Sequence, residues 1–219
     1  MAGPIRYYTA GSTAAAVSPA FDAEWENTAS ALRRAISVTE FNESIATSTA
    51  LDGLSTADRD VLNLQFVSDA IAAGPITGTL KGQIQAMESS PNPDMRIQMI
   101  VRVVSNDGST FRGTLYGPDT AALSSEFNTA RRNVQAPRGG AVALSAVTAQ
   151  ANDRIVIEIG YRKHGGYSGT GTLYYGGLAA YTALPEDETT TTTTTKPWFE
   201  FSADLYTARG SKARAYILE

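Results

Sequence analysis

The sequence predicts an all-β fold, an antiparallel β-sandwich of about ten strands with little helix. Three observations support this class: apolar and polar residues alternate with a period of two over many short segments, Gly, Pro, Asn and Ser separate those segments, and no long segment has the apolar spacing of a helix. The chain has 219 residues and no cysteine, so we expect one domain that buries its core without disulfides.

The clearest strand patterns lie at residues 76–87 and 95–104, where apolar or small residues take every second position. This alternation predicts half-buried strands, with one face in the core and the other in water. The turn sequence Asn-Asp-Gly at 106–108 supplies residues that tolerate a positive φ, and residues 110–116 alternate again. The sequence therefore predicts a β-hairpin around this turn.

The same alternation predicts the remaining strands. In chain order they are residues 5–9, 32–39, 62–71, 125–131, 141–147, 154–162, 171–176 and 198–202. Helix is predicted only as short turns. Ser18-Pro19 fits a helix start within residues 18–25, and Ser55 with Asp58 fits a capping pair.

The chain divides into three parts by pattern. Residues 1–30 are predicted to form an N-terminal strand and arm with the short helical turn, residues 31–205 the sandwich, and residues 206–219 a C-terminal arm. Within the sandwich, residues 186–197 carry an acidic group followed by seven threonines. This composition predicts an exposed loop that continues into an extended or edge segment, with a flexible linker as the alternative.

The charge pattern excludes some partners. The chain has 18 basic and 22 acidic residues, a net charge of -4, which argues against nucleic acid because phosphate binding needs a basic face. The pairs Arg33-Arg34 and Arg131-Arg132 are interpreted as solvated strand faces. No apolar run is long enough for a membrane helix, and the N-terminus has no secretory pattern. We expect a chain that stays in the cytoplasm or leaves it in assembled particles.

The sequence shows no catalytic or metal-binding motif. His164 is the single histidine and lies in a polar turn, where an exposed loop residue is expected rather than a catalytic base. One histidine without cysteine does not make a zinc site. Glu158 is expected on the solvent face of its strand, and the acidic residues at 186–188 have no paired carboxylate signature. We therefore expect no catalytic residues, no metal and no cofactor.

Aromatic residues are concentrated in the C-terminal third of the chain, at Tyr161, Tyr167, Tyr174, Tyr175, Tyr181, Trp198 and Phe199. Exposed aromatic faces stack against sugar rings in carbohydrate-binding modules, and Tyr167, Tyr174, Tyr175 and Trp198 are the candidate glycan contacts. The alternative is that some of these rings are core residues and the others cover protein interfaces.

Several strand and turn segments resemble a group of virion proteins of tailed bacteriophages. They are LNLQFVSDAI, GTLKGQIQAMES, MRIQMIVRVVSNDGSTFRGTLYG, NDRIVIEIGYRK and LPEDETTTTTTTKPWFEFS, and the opening RYYTAGSTAAAVSPAFDAEWENT is similar in style. The resemblance covers about residues 6–202. It implies a β-sandwich of jelly-roll type that forms a structural part of a phage particle.

The expected function is therefore that of a non-enzymatic component of a tailed-phage virion, such as a head decoration or minor tail protein. The expected partners are other virion proteins and further copies of this chain, with neither nucleic acid nor membrane. The alternative function is a carbohydrate-binding module that contacts glycans of the host surface.

Overall fold

The computed structural model describes residues 4–53, 57–119, 126–164 and 166–202. The C-terminal arm predicted at 206–219 and the capping residue Ser55 lie outside this part of the chain. Sixteen strands and no helix are found in the described residues, and accordingly none of these residues forms a helix that could cross a membrane. The all-β class is confirmed, with more strands than predicted.

In chain order the strands are β1 Ile5–Thr9, β2 Leu32–Ser37, β3 Glu43–Asp52, β4 Arg59–Ser68, β5 Gly74–Ile76, β6 Thr79–Glu88, β7 Arg96–Val104, β8 Phe111–Tyr116, β9 Arg132–Gln135, β10 Val142–Ala143, β11 Val147–Ala149, β12 Arg154–Lys163, β13 Gly169–Gly177, β14 Thr182–Ala183, β15 Thr195–Lys196 and β16 Trp198–Phe201.

Twelve of these strands form one continuous sheet in the order β3-β13-β6-β16-β1-β2-β4-β12-β7-β8, with β9 and β10 also paired to β6. We call β1, β3, β6, β9, β10, β13 and β16 the first half-sheet, and β2, β4, β7, β8 and β12 the second half-sheet. The sequence predicted antiparallel strands throughout. Because β2 and β4 pair in parallel, the sheet is mixed.

The core lies between the inner faces of the two half-sheets. Phe66 of β4 has its ring centroid 6.1 Å from that of Tyr175 in β13 and 6.1 Å from that of Phe199 in β16. All three rings are almost fully buried. Burial of such large apolar side chains is the main favourable term for folding, so these contacts hold the sandwich together.

Gly160 marks an irregularity in the central strand β12. The register between β12 and β4 shifts between Ile159 and Gly160. A Cβ atom at position 160 would lie 1.9 Å from the carbonyl oxygen of Val61, which no side chain tolerates. Glycine therefore allows β4 and β12 to stay paired on both sides of the bulge.

The predicted hairpin is confirmed. β7 and β8 pair antiparallel, and Gly108 adopts a φ of 78° in the turn between them. The Asp107 carboxylate accepts a hydrogen bond from the Ser109 backbone N–H at 3.1 Å. An aspartate that binds the backbone two residues on is a common turn-forming feature, so the local sequence is sufficient to fix this element.

Other strand predictions fail at identifiable places. Residues 76–87 do not form one strand, because the chain breaks after β5 and Gly78 adopts a φ of 93°. In the predicted strand at 125–131, Glu126 makes an isolated bridge to Arg96 and β9 begins at Arg132. The sequence does not predict β3, because its alternation is between small and hydroxyl residues rather than between apolar and charged ones.

One prediction about exposure and one about helix are wrong, and a single covering segment accounts for much of both. Every residue of β7 is buried, although its alternation predicted one face in water. The short helix predicted within residues 18–25 is absent. Instead, this segment is irregular and lies over the outer face of the second half-sheet, where sheet side chains bind its backbone groups.

Candidate functional site

Residues 10–31, called the strap below, connect β1 to β2 and cover the outer face of β4, β12 and β7. Two small apolar clusters hold the strap to this face. One joins Phe21, Trp25 and Ala31 of the strap to Leu62 and Ile100, and the other joins Ala15 and Val17 to Val67, Val104 and Val156. The strap therefore adds a third layer to the sandwich on one side.

Glu158 lies beneath the strap in the middle of β12 and is completely buried. Its carboxylate accepts hydrogen bonds from two strap groups, the backbone N–H of Asp22 at 3.1 Å and Nε1 of Trp25 at 2.8 Å. From the sheet, Gln65 Nε2 donates at 2.8 Å and Arg102 forms an ion pair. These donors offset the large cost of removing a carboxylate from water. The sequence placed Glu158 on a solvent face, but the strap covers that face.

The sheet also binds backbone carbonyls of the strap. Gln65 Nε2 donates to the Pro19 carbonyl at 3.2 Å, Arg33 donates to the same oxygen at 3.2 Å, and Arg102 donates to the Ala20 carbonyl at 2.9 Å. Arg33 is half-buried, so its interpretation as part of a solvated strand face is wrong. Its guanidinium instead fixes the position of the strap.

Residues 184–195, called the Thr-rich loop below, cover part of the outer face of the first half-sheet. The backbone N–H of Asn133 donates to the Thr190 carbonyl at 2.8 Å. Gln85 Nε2 donates to the Thr192 carbonyl at 3.0 Å. The loop ends in the extended strand β15, as the sequence predicts, while residues 191–194 are exposed.

Two of the four candidate glycan contacts are buried. Tyr175 and Trp198 are each 1% exposed. Tyr175 faces the core, and Trp198 lies under the Thr-rich loop, where its Nε1 donates to the Leu184 carbonyl at 2.7 Å. The Arg6 guanidinium covers the Trp198 ring at 3.8 Å from its centroid. Neither ring offers a face for a sugar, because the core buries Tyr175 and the Thr-rich loop and Arg6 cover Trp198.

The other two candidates lie at the surface. Tyr167 is 56% exposed in the connection between β12 and β13. Tyr174 is half-buried on the outer face of β13, where the Arg131 guanidinium lies 4.2 Å from its ring centroid. Arg131 also donates from Nε to Gln85 at 2.7 Å, so this arginine is not a freely solvated residue, as its sequence context had suggested.

From Tyr174, whose ring the Arg131 guanidinium covers, a surface of uncharged side chains extends across three strands of the first half-sheet. We call it the open face, and it consists of Thr47, Thr49 and Leu51 of β3, Thr170, Thr172 and Tyr174 of β13, and Met87 of β6. The register pairs Thr172 with both Thr49 and Met87, and residues two apart in a strand share a face. The threonine hydroxyls of Thr49 and Thr172 are 3.1 Å apart. Leu51 is 58% exposed on this face.

His164 is half-buried at the end of β12 and pairs with a carboxylate. Its Nδ1 lies 3.1 Å from Oδ2 of Asp58. A nucleophilic triad also needs a hydroxyl or thiol bound to the histidine, and no hydroxyl of a described residue is hydrogen-bonded to His164. Within the described ranges, no group of three or more His, Asp or Glu side chains could hold a metal ion.

Glu88, at the end of β6, is a buried carboxyl group with an altered pKa. It is 2% exposed and accepts a hydrogen bond from the Met95 backbone N–H at 3.1 Å. The pKa of Glu88 is raised to about 7, chiefly by burial; the Met95 hydrogen bond and the Arg132 charge oppose this increase, and the nearby carboxylates of Glu126 and Asp94 add to it. A perturbed carboxyl pKa occurs in active sites and in structural clusters alike.

The chain matches no protein-family model and no curated protein. Similar solved structures include two of a CocE/NonD family hydrolase from Staphylococcus aureus, each with a TM-score of 0.44 and 7% identity. They cover 83% and 76% of this chain and 36% and 34% of the hydrolase chain. The infectious bursal disease virus VP2 subviral particle has a TM-score of 0.17 and 8% identity over 84% of this chain and 40% of that chain. The chain thus spans less than half of each protein, and such distant likenesses do not assign an activity.

Proposed function

We propose that the chain is a non-enzymatic structural component of a tailed-bacteriophage particle, either a head decoration or a minor tail protein. It acts through interfaces with other virion proteins and with further copies of itself. The resemblance of its strand and turn segments to such proteins motivates this proposal.

The open face is the observation that carries the proposal. Its seven side chains are uncharged, and exposed Leu51 lies beside the paired threonines of β3 and β13. The centres of protein interfaces are depleted of charged residues and enriched in Tyr and Met. A face of this composition on two long paired strands fits a subunit contact better than it fits a solvated surface.

The buried charges of the chain also have structural partners. Lys163 and Asp52 are both fully buried, with Nζ and Oδ2 2.7 Å apart, and Arg59 binds the other oxygen of Asp52 at 2.9 Å. Glu158 binds the strap, as described above. These carboxylates hold elements of the fold together, which supports a role without turnover.

Mass spectrometry of purified particles tests the proposal directly. The particles are taken from the bacterial lysate in which the chain is produced during phage growth. We expect peptides of this chain in a fixed ratio to the other particle proteins after density-gradient purification. Absence of the chain from purified particles would reject the proposed function.

A pair of variants tests the open face itself. Leu51→Arg places a cation on that face, and Phe111→Arg makes the same change at an equally exposed position, 58% in both cases, on β8. Burying an unpaired charge in an interface is costly, so we expect Leu51→Arg to be folded but depleted from particles at least tenfold and Phe111→Arg to be retained. Equal incorporation of both variants would show that the open face is not the contact.

Glycan binding is the second candidate function, and the exposed ring of Tyr167 is the observation in its favour. Host-surface glycans on an array are the probe. Binding that is lost in both Tyr167→Ala and Tyr174→Ala would support this alternative, because stacking on an aromatic face contributes a large part of sugar affinity. Binding that is unchanged in both variants would remove these two residues as glycan contacts.

A further inference from the structure

The strap differs from the strands around it in how its backbone is held. Its ends are fixed by backbone hydrogen bonds: Ala10 donates to Ala35 at one end, and Asn27 donates to Asp60 at the other. Between residues 14 and 25, no backbone–backbone hydrogen bond joins the strap to a described strand residue. This central part is held by side chains of the sheet and by the two apolar clusters.

The polar contacts of the central part converge on the Glu158–Arg102 pair, since the Asp22 carboxylate of the strap also lies 3.5 Å from the Arg102 guanidinium. Glu158 accepts from Asp22 N–H and Trp25 Nε1, while Arg102 and Gln65 bind both Glu158 and the strap carbonyls. Glu158 is thus the acceptor that joins the strap to three strands at once.

Opening of the strap leaves no buried charge without a partner. The Glu158–Arg102 ion pair and the Gln65–Glu158 hydrogen bond lie entirely within the second half-sheet, so they persist when the strap moves away. Water can then replace the Asp22 and Trp25 donors at the carboxylate. Opening therefore costs only the Asp22 and Trp25 bonds to Glu158 and the exposure of the two small apolar clusters, whereas opening of the sheet would break its backbone ladder and expose the main core.

We propose that residues 14–25 form a releasable strap, which opens as a unit while the sandwich stays folded, and that Glu158 is the group that holds it closed. The released state exposes an apolar face on β4, β12 and β7, with Leu62, Ile100 and Val156 around the Glu158–Arg102 pair. This inference does not depend on the proposed particle function.

Hydrogen exchange measured by mass spectrometry on the full chain tests the strap. In the unmodified protein we expect the hydrogen-bonded amides of the strap, those of Asp22 and Trp25, to exchange at least tenfold faster than those of β4, β7 and β12, because they exchange through local opening. Exchange of strap and strand amides at one common rate would overturn the proposal, since the strap would then open only when the whole domain unfolds.

A matched pair of tryptophan variants tests the role of Glu158. The chain has two tryptophans. Trp25 of the strap donates its indole N–H to Glu158 of the sheet, and Trp198 of the sheet donates its indole N–H to Leu184 of the Thr-rich loop. Trp25→Phe removes the strap donor to Glu158 and keeps an aromatic ring and the Glu158–Arg102 pair, while Trp198→Phe removes the donor to Leu184 on the other side of the sandwich. We expect Trp25→Phe to raise exchange of residues 14–25 about tenfold, as for loss of a hydrogen bond to a charged group, and Trp198→Phe to leave those amides unchanged.

Glu158→Gln provides the second measurement. Loss of the charge weakens the bonds from Asp22 and Trp25 together, so exchange of the strap should rise by more than in Trp25→Phe. The proposal fails if either variant raises exchange in residues 14–25 no more than in β1 and β16, because the effect would then be general destabilisation. Unchanged strap exchange in Trp25→Phe would exclude Glu158 as the closing group.

Discussion

The strap and the Thr-rich loop both cover an outer face of the sandwich, but they are held in different ways. Sheet side chains around the buried Glu158 carboxylate hold the strap. Side chains of Gln85 and Trp198 also bind the Thr-rich loop, but it has backbone hydrogen bonds as well. Asn133 of β9 donates to Thr190, and Leu184 donates to Lys196 at the base of the loop, beside the β14–β15 pair. A covering joined by backbone bonds behaves as part of the sheet, whereas one joined by a few side chains can have its own stability.

The tryptophans beneath the two coverings give the largest expected difference. Trp198 is 1% exposed and lies under the Thr-rich loop, and Trp25 is 6% exposed in a small cluster of the strap. We expect Trp198→Ala to lower the free energy of unfolding by about 3–5 kcal/mol, as for large aromatic side chains in cores. Trp25→Ala should cost less, because the strap can open without the core unfolding. Urea denaturation of both variants measures the difference, and a larger loss for Trp25→Ala would contradict it.

Glu88 lies under neither the strap nor the Thr-rich loop. A pH dependence of stability that comes from Glu88 therefore does not report on either covering. The folded protein raises the pKa of Glu88 from 4.5 to about 7, chiefly through burial. The protonated group is therefore favoured in the folded state, and its contribution to stability is complete below about pH 4.5 and lost as the pH rises through 7. The loss is on the order of 3 kcal/mol.

Glu88→Gln checks this assignment. The amide stays neutral, so the variant should gain stability relative to the unmodified protein at pH 8 and differ little from it at pH 4.5. The measurement is the urea midpoint at both pH values, together with hydrogen exchange of the strap. If the urea midpoint of Glu88→Gln still depended on pH in the same way, another carboxyl group would be responsible. If hydrogen exchange of the strap changed with pH along the same curve, that group would lie at the strap.

The sequence predicted the fold class because alternation and turn chemistry are local. The Asp107-Gly108 hairpin and the strand Ile5–Thr9 were found where expected, since a few adjacent residues determine each. The two coverings were harder to predict. Glu158 was expected on the solvent face of its strand but is buried, because the groups that cover it, from Asp22 and Trp25, lie more than a hundred residues away along the chain.

The candidate site was predicted only in part, for the same reason. Tyr174 and Trp198 both lie on outward positions of their strands, and the sequence gives them equal weight. The Thr-rich loop buries Trp198 and leaves Tyr174 half-exposed. One signal could have revealed the strap: residues 10–31 contain Phe21 and Trp25 without a regular period, which indicates burial against an element already formed.

The smallest effect is expected at Asp187, which anchors the Thr-rich loop from within. Burial alone would raise its pKa, but hydrogen bonds from the Thr190 hydroxyl, the N–H groups of Thr190 and Thr189, and Asn133 lower it from 3.8 to about 2. Its contribution is therefore present above about pH 4 and lost as the pH falls through 2. Asp187→Ala should cost about 1 kcal/mol of unfolding free energy at pH 7, the usual net value for such hydrogen bonds, and much less near pH 2.

Because backbone bonds also hold this loop, hydrogen exchange of the Asn133 amide should rise only slightly in Asp187→Ala. If that amide instead lost all protection, the Thr-rich loop would depend on one carboxylate as the strap does, and the distinction between the two coverings would fail.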